Sequence, residues 1–250
     1  MNTSLAKPKD VNWPKIYTQE LFHITEVMVT DVASPPVAAR IYAYSNLAAY
    51  LISKESGKGF EHQNILDQTS LADQDWGIHY PEISSPEFAA IYAMLKVGEA
   101  IMPSGYLLKV RQAEWAEKAL KAKILSKKEL QAHLDFASLV AKKVMEIAKK
   151  DGYLQLSTLT RYTPQKGVGF WYPTPPAYIA AVEPEWETIK PFFIQNLEDY
   201  KPAPMAPFNM TAGSSFHNQM MEVYTTTNEL NEERKLIANL LVCNPFKVEV

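Results

Sequence analysis

The chain has 250 residues, 47% of them hydrophobic and 21% charged, with a net charge of −3. It suits one large domain or two small ones and is long enough for a real core, and the near-neutral charge gives no general attraction to nucleic acid or to a membrane surface. No apolar run approaches the ~18 residues a membrane span needs. Cys243 is the only cysteine, which excludes an internal disulfide. It follows the apolar run LIANLLV and reads as a buried side chain rather than a nucleophile. The N-terminus MNTSLAKPKD has no hydrophobic signal core, which fits either a cytosolic protein or an exported one whose signal has been removed.

The stretch IYTQELFHITEVMVTDV reads as the first helix. Tyr17, Leu21, Ile24 and Met28 stack on one face, and Pro14 suits the first turn because its missing N–H is no loss there. Ser34 is the expected cap of a second helix that opens on Pro35 and Pro36 and buries Ile41, Tyr44, Ala48 and Leu51. SKESGKGFEHQ reads as a turn. A third helix runs from Ser85-Pro86-Glu87 to about Met102, where Pro103 and Gly105 break it.

Residues 106–123 are helical again. Ser126 and Glu129 form a capping box, each side chain satisfying the other's free backbone N–H. It opens a helix with Leu134, Ala137, Ala141, Val144 and Ala148 inward, ended by Asp151-Gly152. Residues 106–150 hold eleven Lys or Arg against five Asp or Glu; this reads as a solvated helix face rather than a docking surface for an acidic partner. No helical period runs from Tyr153 to about Glu183. Pro184 starts a short helix through Ile189, KPAPMAPF forms a link, and two helices follow at about 215–227 and 232–243, the second capped by Asn231. The expected fold is all-α: a single helical domain over 1–250, with a bundle (1–152), a proline-rich aromatic strap and short helix (153–213) and C-terminal helices (214–250).

Candidate chemistry is sparse. The histidines are His23, His62, His79, His133 and His217, and they form neither His-x-x-x-His nor a zinc HExxH. Glu20 and His23 have the Glu-x-x-His spacing of di-iron bundles, but no second such pair exists, so His23 reads as an ordinary surface or outer-shell residue. Asp73-Gln-Asp75-Trp-Gly77 lacks the third acid of a calcium loop and has Ser84 where its glutamate would fall, which leaves a turn. Gly167-Val-Gly169 lacks the third glycine of a dinucleotide loop, and Gly57-Lys58-Gly59 lacks the upstream glycine and the hydroxyl of a P-loop. Gly213-Ser214-Ser215-Phe216 is not a nucleophile elbow. Neither a catalytic residue nor a metal ligand is assigned.

The strap GVGFWYPTPPAYIAAVEPEW holds four prolines and five aromatics. Proline fixes φ and extends the residue before it, so Tyr172-Pro173-Thr174-Pro175-Pro176 loses little entropy on ordering. The flanking aromatics favour packing across helices over an exposed SH3 or WW ligand.

Three blocks carry a resemblance: ITEVMVTDVASPPVAARIYAYSNLAAYL (24–51), GFWYPTPPAYIAAVEPEWETIKPF (169–192) and MEVYTTTNELNEERKLIANLLVCNPF (221–246). In this order they resemble bacterial vanadium-dependent haloperoxidase-like proteins, of the superfamily shared with type 2 phosphatidic acid phosphatases. The resemblance spans nearly the whole chain and implies a helical bundle of which this is the N-terminal half. The complete enzyme would oxidise halide with peroxide through vanadate, an oxidoreductase, or hydrolyse phosphate monoesters, a hydrolase.

In that family a lysine, two arginines, a Ser-Gly N–H and a histidine cradle vanadate or phosphate, and a further histidine acts on the apical oxygen. The marks are Lys-x6-Arg-Pro, Pro-Ser-Gly-His and Ser-Arg-x5-His-x3-Asp. None is present: no Arg-Pro occurs, none of Arg40, Arg111, Arg161 or Arg234 follows serine, and Pro103-Ser104-Gly105 runs into Tyr106. Loss of one preorganised oxyanion donor costs about 10²–10³ in rate, so without the whole set this chain is expected to be inert and to hold no cofactor itself. The family pocket would follow Pro245-Phe246, where the chain gives KVEV.

The expected role is therefore scaffold and entrance wall, with Trp171, Tyr172 and Tyr178 lining the entrance; the alternative is a stand-alone, non-catalytic helical interaction module. A truncated bundle predicts apolar faces left bare on helices 17–28 and 134–148. The expected partners are the missing C-terminal catalytic half or a second copy. The resemblance also points to an exported or periplasmic location.

Overall fold

The computed structural model describes residues 11–55, 65–192, 194 and 196–241. They divide into two compact units: Met1–Tyr162 with Ala181–Gln195, and Thr163–Ala180 with Asn196–Val250. The first contains helices α1 (Trp13–Thr30), α2 (Pro35–Glu55), α3 (Pro86–Ile101), α4 (Leu108–Lys121) and α5 (Lys127–Ala148); the second contains α6 (Ser215–Asn228) and α7 (Glu232–Leu241). Among the described residues there is no strand, and no helix is long and apolar enough to cross a membrane. Expectations for the N-terminal ten residues, Gly57-Lys58-Gly59, His62, Cys243 and the KVEV end lie outside the described residues.

The first unit is built around α3. Phe88, Ala89, Ala90, Ile91, Ala93, Met94, Leu95, Val97 and Gly98 are all buried, so apolar residues cover every side of this helix. A helix apolar all round has to be enclosed, and α3 touches α1, α2, α4 and α5. Small residues allow the close approach. A Cβ on Gly98 would lie 2.9 Å from Leu108 and 3.2 Å from Ile24, and one on Gly105 would fall 2.1 Å from the Glu99 carbonyl oxygen. Gly105 is thus where α3 can end and the chain turn into α4. Aromatics fill the wider gaps: Trp115 stacks on Phe88 at 5.4 Å and meets the edge of Trp13 at 6.2 Å.

The helix starts follow local chemistry. The Asn12 side chain accepts from the Lys15 N–H at the head of α1, with Pro14 in its first turn. The Ser126–Glu129 capping box opens α5, and Asn231 Oδ1 accepts from the Arg234 N–H at 2.8 Å. Ser34 departs from expectation: its carbonyl accepts from Ala38 as α2 begins, but its hydroxyl donates to Glu183. The short helix after Pro184 is a single 3₁₀ turn, Trp186–Thr188.

The expected bare faces on residues 17–28 and 134–148 are not found. Ile24 and Met28, and Ala137, Ala141, Val144 and Ala148, are buried in the core. The enclosing positions around α3 use up those stripes, so the five helices satisfy one another. Single apolar side chains such as Phe22 and Leu139 stay exposed there, and more bare apolar surface lies in the second unit. None of its described residues is buried, and Val223, Leu240 and Leu241 are 67%, 73% and 76% exposed.

The capping box makes a pH prediction. Hydrogen bonds from the Ser126 hydroxyl and backbone N–H, then from Ser84, hold the Glu129 carboxyl at about 2 against an ordinary 4.5. A folded value below the unfolded one means that this stability is present above pH 4.5 and lost as the pH falls toward 2. Glu129→Gln is expected to lose less thermal midpoint than the parent across that acid window; identical slopes in a pH series of melting curves would contradict the assignment.

Candidate functional site

The three strap aromatics singled out in the sequence lie in the second unit. Trp171, Tyr172 and Tyr178 are 50%, 63% and 63% exposed. Tyr178 adopts φ 47°, a left-handed conformation costly for a bulky residue, and its N–H donates to the Thr174 carbonyl. Within this unit the turn at Gly169 (φ 88°) comes so close to Phe208 that a Cβ would meet the ring at 3.2 Å. Phe208 in turn lies 4.9 Å from Phe216 of α6.

The histidines play structural parts. His23 Nδ1 pairs with Glu26 at 2.7 Å, not with Glu20. His133 is buried; its Nε2 accepts from the Ser85 N–H and its Nδ1 donates to the Glu129 carbonyl, joining the start of α3 to α5. Asp75 Oδ1 accepts from the Gly77 N–H and forms the expected turn. Among the described residues no three His, Cys, Asp or Glu converge as a metal site. Glu20 is 5% exposed, and its Oε2 has no hydrogen-bond partner. Desolvation pushes its pKa up, against the pull of His23, Lys118 and Arg111.

The arrangement the sequence did not announce is a buried polar hub. Arg40 Nε donates to Asp151 Oδ2 at 2.6 Å, and Nη2 donates to the Ala148 carbonyl at 2.9 Å. Tyr44 donates to the same Oδ2 at 3.1 Å, and the Tyr153 N–H donates to Oδ1 at 2.9 Å. The guanidinium lies 4.2 Å from the centre of the Tyr153 ring and 5.1 Å from that of Tyr44. Burial, then the Asp151 charge, raises the Tyr44 pKa far above its usual value, so the hydroxyl stays a donor. Arg40 and Tyr44 are four residues apart on α2, a spacing that puts both on one face; that was the available sequence signal.

The hub holds the returning strap. The Lys190 N–H donates to the Asp151 carbonyl at 2.8 Å, and the Ser70 N–H donates to the Phe192 carbonyl at 2.9 Å. Phe192 meets the edge of Tyr44 at 4.6 Å, and Tyr153 that of Trp186 at 6.0 Å. Beside the hub is a cavity of about 500 Å³ lined by Tyr44, Ser70, Gln74, Lys150, Lys190 and Phe192, among others. A larger apolar groove of about 650 Å³ runs along α2, with Tyr17, Tyr42, Tyr50, Leu47 and Leu66 in its walls. Tyr17 donates to Asn46 there, and Tyr42 shares a hydrogen bond with Thr25.

These residues do not fit an oxyanion of the vanadate kind. Arg40 is spent on Asp151, Arg111 pairs with Glu114 at 3.0 Å, Arg161 is exposed and Arg234 belongs to the second unit.

Removing one partner of a buried ion pair leaves the other charge uncompensated, at a cost of about 3–5 kcal/mol. Asp151→Asn and Arg40→Met are each expected to destabilise on that scale, and the double variant by less than their sum. Urea denaturation of the four proteins checks this; strictly additive losses below about 1 kcal/mol would contradict it.

No protein-family model and no curated protein matches the chain. Among solved structures it is similar to a bacterial vanadium-dependent iodoperoxidase, with a TM-score of 0.80 and 27% identity over 97% of this chain and 58% of that one. The chain therefore spans less than two thirds of the length of the protein it matches. This match shows both the all-helical, haloperoxidase-like fold and the resemblance to bacterial vanadium-dependent haloperoxidase-like proteins that the three sequence blocks carry.

Proposed function

We propose that the chain is the N-terminal scaffold part of a vanadium-dependent haloperoxidase-like enzyme, inert by itself, in which the anion-gripping residues belong to other polypeptide. The observation that supports this most is the match to the iodoperoxidase, which takes in nearly all of this chain but 58% of that one. In the complete protein vanadate would serve halide oxidation by peroxide; a phosphate monoesterase is the other activity the same pocket type supports. The two units would then be parts of one helical domain.

The role of this chain is mechanical. The first unit is a closed five-helix core and needs no partner to bury its stripes. The second has no buried residue of its own and exposes apolar side chains of α6 and α7. Apolar patches beyond a few hundred Å² usually mark an interface, so these helices are where the remaining half of the enzyme would pack, with a second copy as the substitute when it is absent. Trp171, Tyr172 and Tyr178 would stand at the pocket entrance, where proline-stiffened backbone and exposed rings suit contact with substrate.

Two measurements test this. The purified 250-residue chain, given vanadate, peroxide and iodide, is expected to turn over no faster than free vanadate and to lose vanadate on gel filtration. The coding sequence beyond Val250 is expected to contain Lys-x6-Arg-Pro and then Pro-Ser-Gly-His. Retained vanadate with turnover would overturn the proposal. So would a stop codon after Val250 together with a clean monomer in light scattering, which is the result an independent interaction module gives.

A further inference from the structure

The cavity beside the Arg40–Asp151 hub has the makings of a binding site. Four separate segments of the first unit build it: Tyr44 from α2, Ser70, Leu71 and Gln74 from the turn after the short 3₁₀ helix Ile65–Gln68, Ile147, Lys150 and Asp151 from the end of α5, and Lys190 to Phe192 with Ile194 from the strap. Its walls are tied to one another before any ligand arrives. The strap is held by Lys190 N–H to the Asp151 carbonyl and by Ser70 N–H to the Phe192 carbonyl. The Ser70 hydroxyl adds a bond to the Pro191 carbonyl at 3.0 Å. A volume of about 500 Å³ falls within the ~300–1,000 Å³ of small-molecule sites.

The charge at the cavity has one sign. Asp151 is neutralised by Arg40 at 2.6 Å and has both oxygens engaged. Lys150 and Lys190 are exposed at the rim, and among the described residues neither has an ion-pair partner. Two lysines with no ion-pair partner among the described residues therefore line a cavity whose only carboxylate is already paired. The rest of the lining is largely apolar: Leu71, Ile147, Pro191, Phe192 and Ile194.

We infer that this cavity binds an amphipathic organic anion, a carboxylate or sulfonate with an aromatic or compact aliphatic body. The anionic head lies between Lys150 and Lys190, and the body lies on Phe192, Pro191, Ile147 and Leu71. The Gln74 amide N–H is held by the Asp75 carbonyl, which leaves its side-chain oxygen to accept from a polar substituent. The ligand need not react.

The test uses the whole chain and three probes of one shape: 1-naphthoate, its neutral amide 1-naphthamide, and the cation 1-naphthylmethylammonium, titrated by calorimetry and ligand-observed NMR. Naphthoate is expected to bind at least about tenfold more tightly than the amide. Its affinity is expected to fall as ionic strength rises from about 0.01 M to about 0.15 M, because the screening length shrinks from about 30 Å to about 8 Å. Lys150 and Lys190 are on the surface, so K150E/K190E keeps the fold, which circular dichroism checks. That variant is expected to lose naphthoate and to prefer the cation instead. Equal binding of acid and amide, an unchanged preference in K150E/K190E, or no naphthoate binding up to about 10 mM would each overturn the inference.

Discussion

One buried ion pair organises the first unit. Arg40 and Asp151 lie 111 residues apart in the chain, 8% and 4% exposed, and meet at 2.6 Å. Neither charge is tolerable there alone, because desolvating an ion costs several kcal/mol that only a close, fully hydrogen-bonded partner offsets. The hub meets that condition in full: Asp151 accepts from Arg40, Tyr44 and the Tyr153 N–H, while Arg40 also caps a carbonyl at the end of α5. The geometry that satisfies the pair also fixes where α5 stops and where the strap returns.

From that point the packing is ordered in layers. The all-round apolar α3 sets how the four other helices must enclose it, with Gly98 removing the side chain that would hold α1 and α4 off it and Gly105 letting the chain turn from α3 into α4. The strap then closes over the ends of α2 and α5 through Ser34–Glu183, Lys190–Asp151 and Ser70–Phe192. The first unit holds a complete core, and among the described residues of the second none is buried.

Local rules made the helices legible. Proline at a first turn, a capping box and stripes at spacings of three and four placed α1 to α7 within a few residues. The hub was not legible, because Arg40 and Asp151 join segments that no short-range pattern connects; only the Arg40–Tyr44 spacing hinted at a shared face. The expectation of bare stripes on α1 and α5 failed for a related reason: periodicity says which face is buried, not what buries it. For the strap, composition identified a stiff aromatic segment, but the residues that grip the bundle are Glu183, Trp186 and Lys190 to Phe192, downstream of the aromatic cluster. The family resemblance rested on long blocks of unusual composition, and the iodoperoxidase match has the breadth those blocks implied.

The chain's arginines are used in holding helices together or lie apart from one another, and its described histidines build no cluster. The Asp151 hub pins non-helical chain to the bundle, and native-state amide hydrogen exchange is the measurement that reads this pinning residue by residue. The amides of Tyr153, Lys190 and Ser70 donate to Asp151 Oδ1, the Asp151 carbonyl and the Phe192 carbonyl respectively. They are predicted to exchange as slowly as the amides of α5, although two of the three lie outside any regular helix. Exchange of all three at the rate of exposed loop residues such as those around Lys166 would contradict the account.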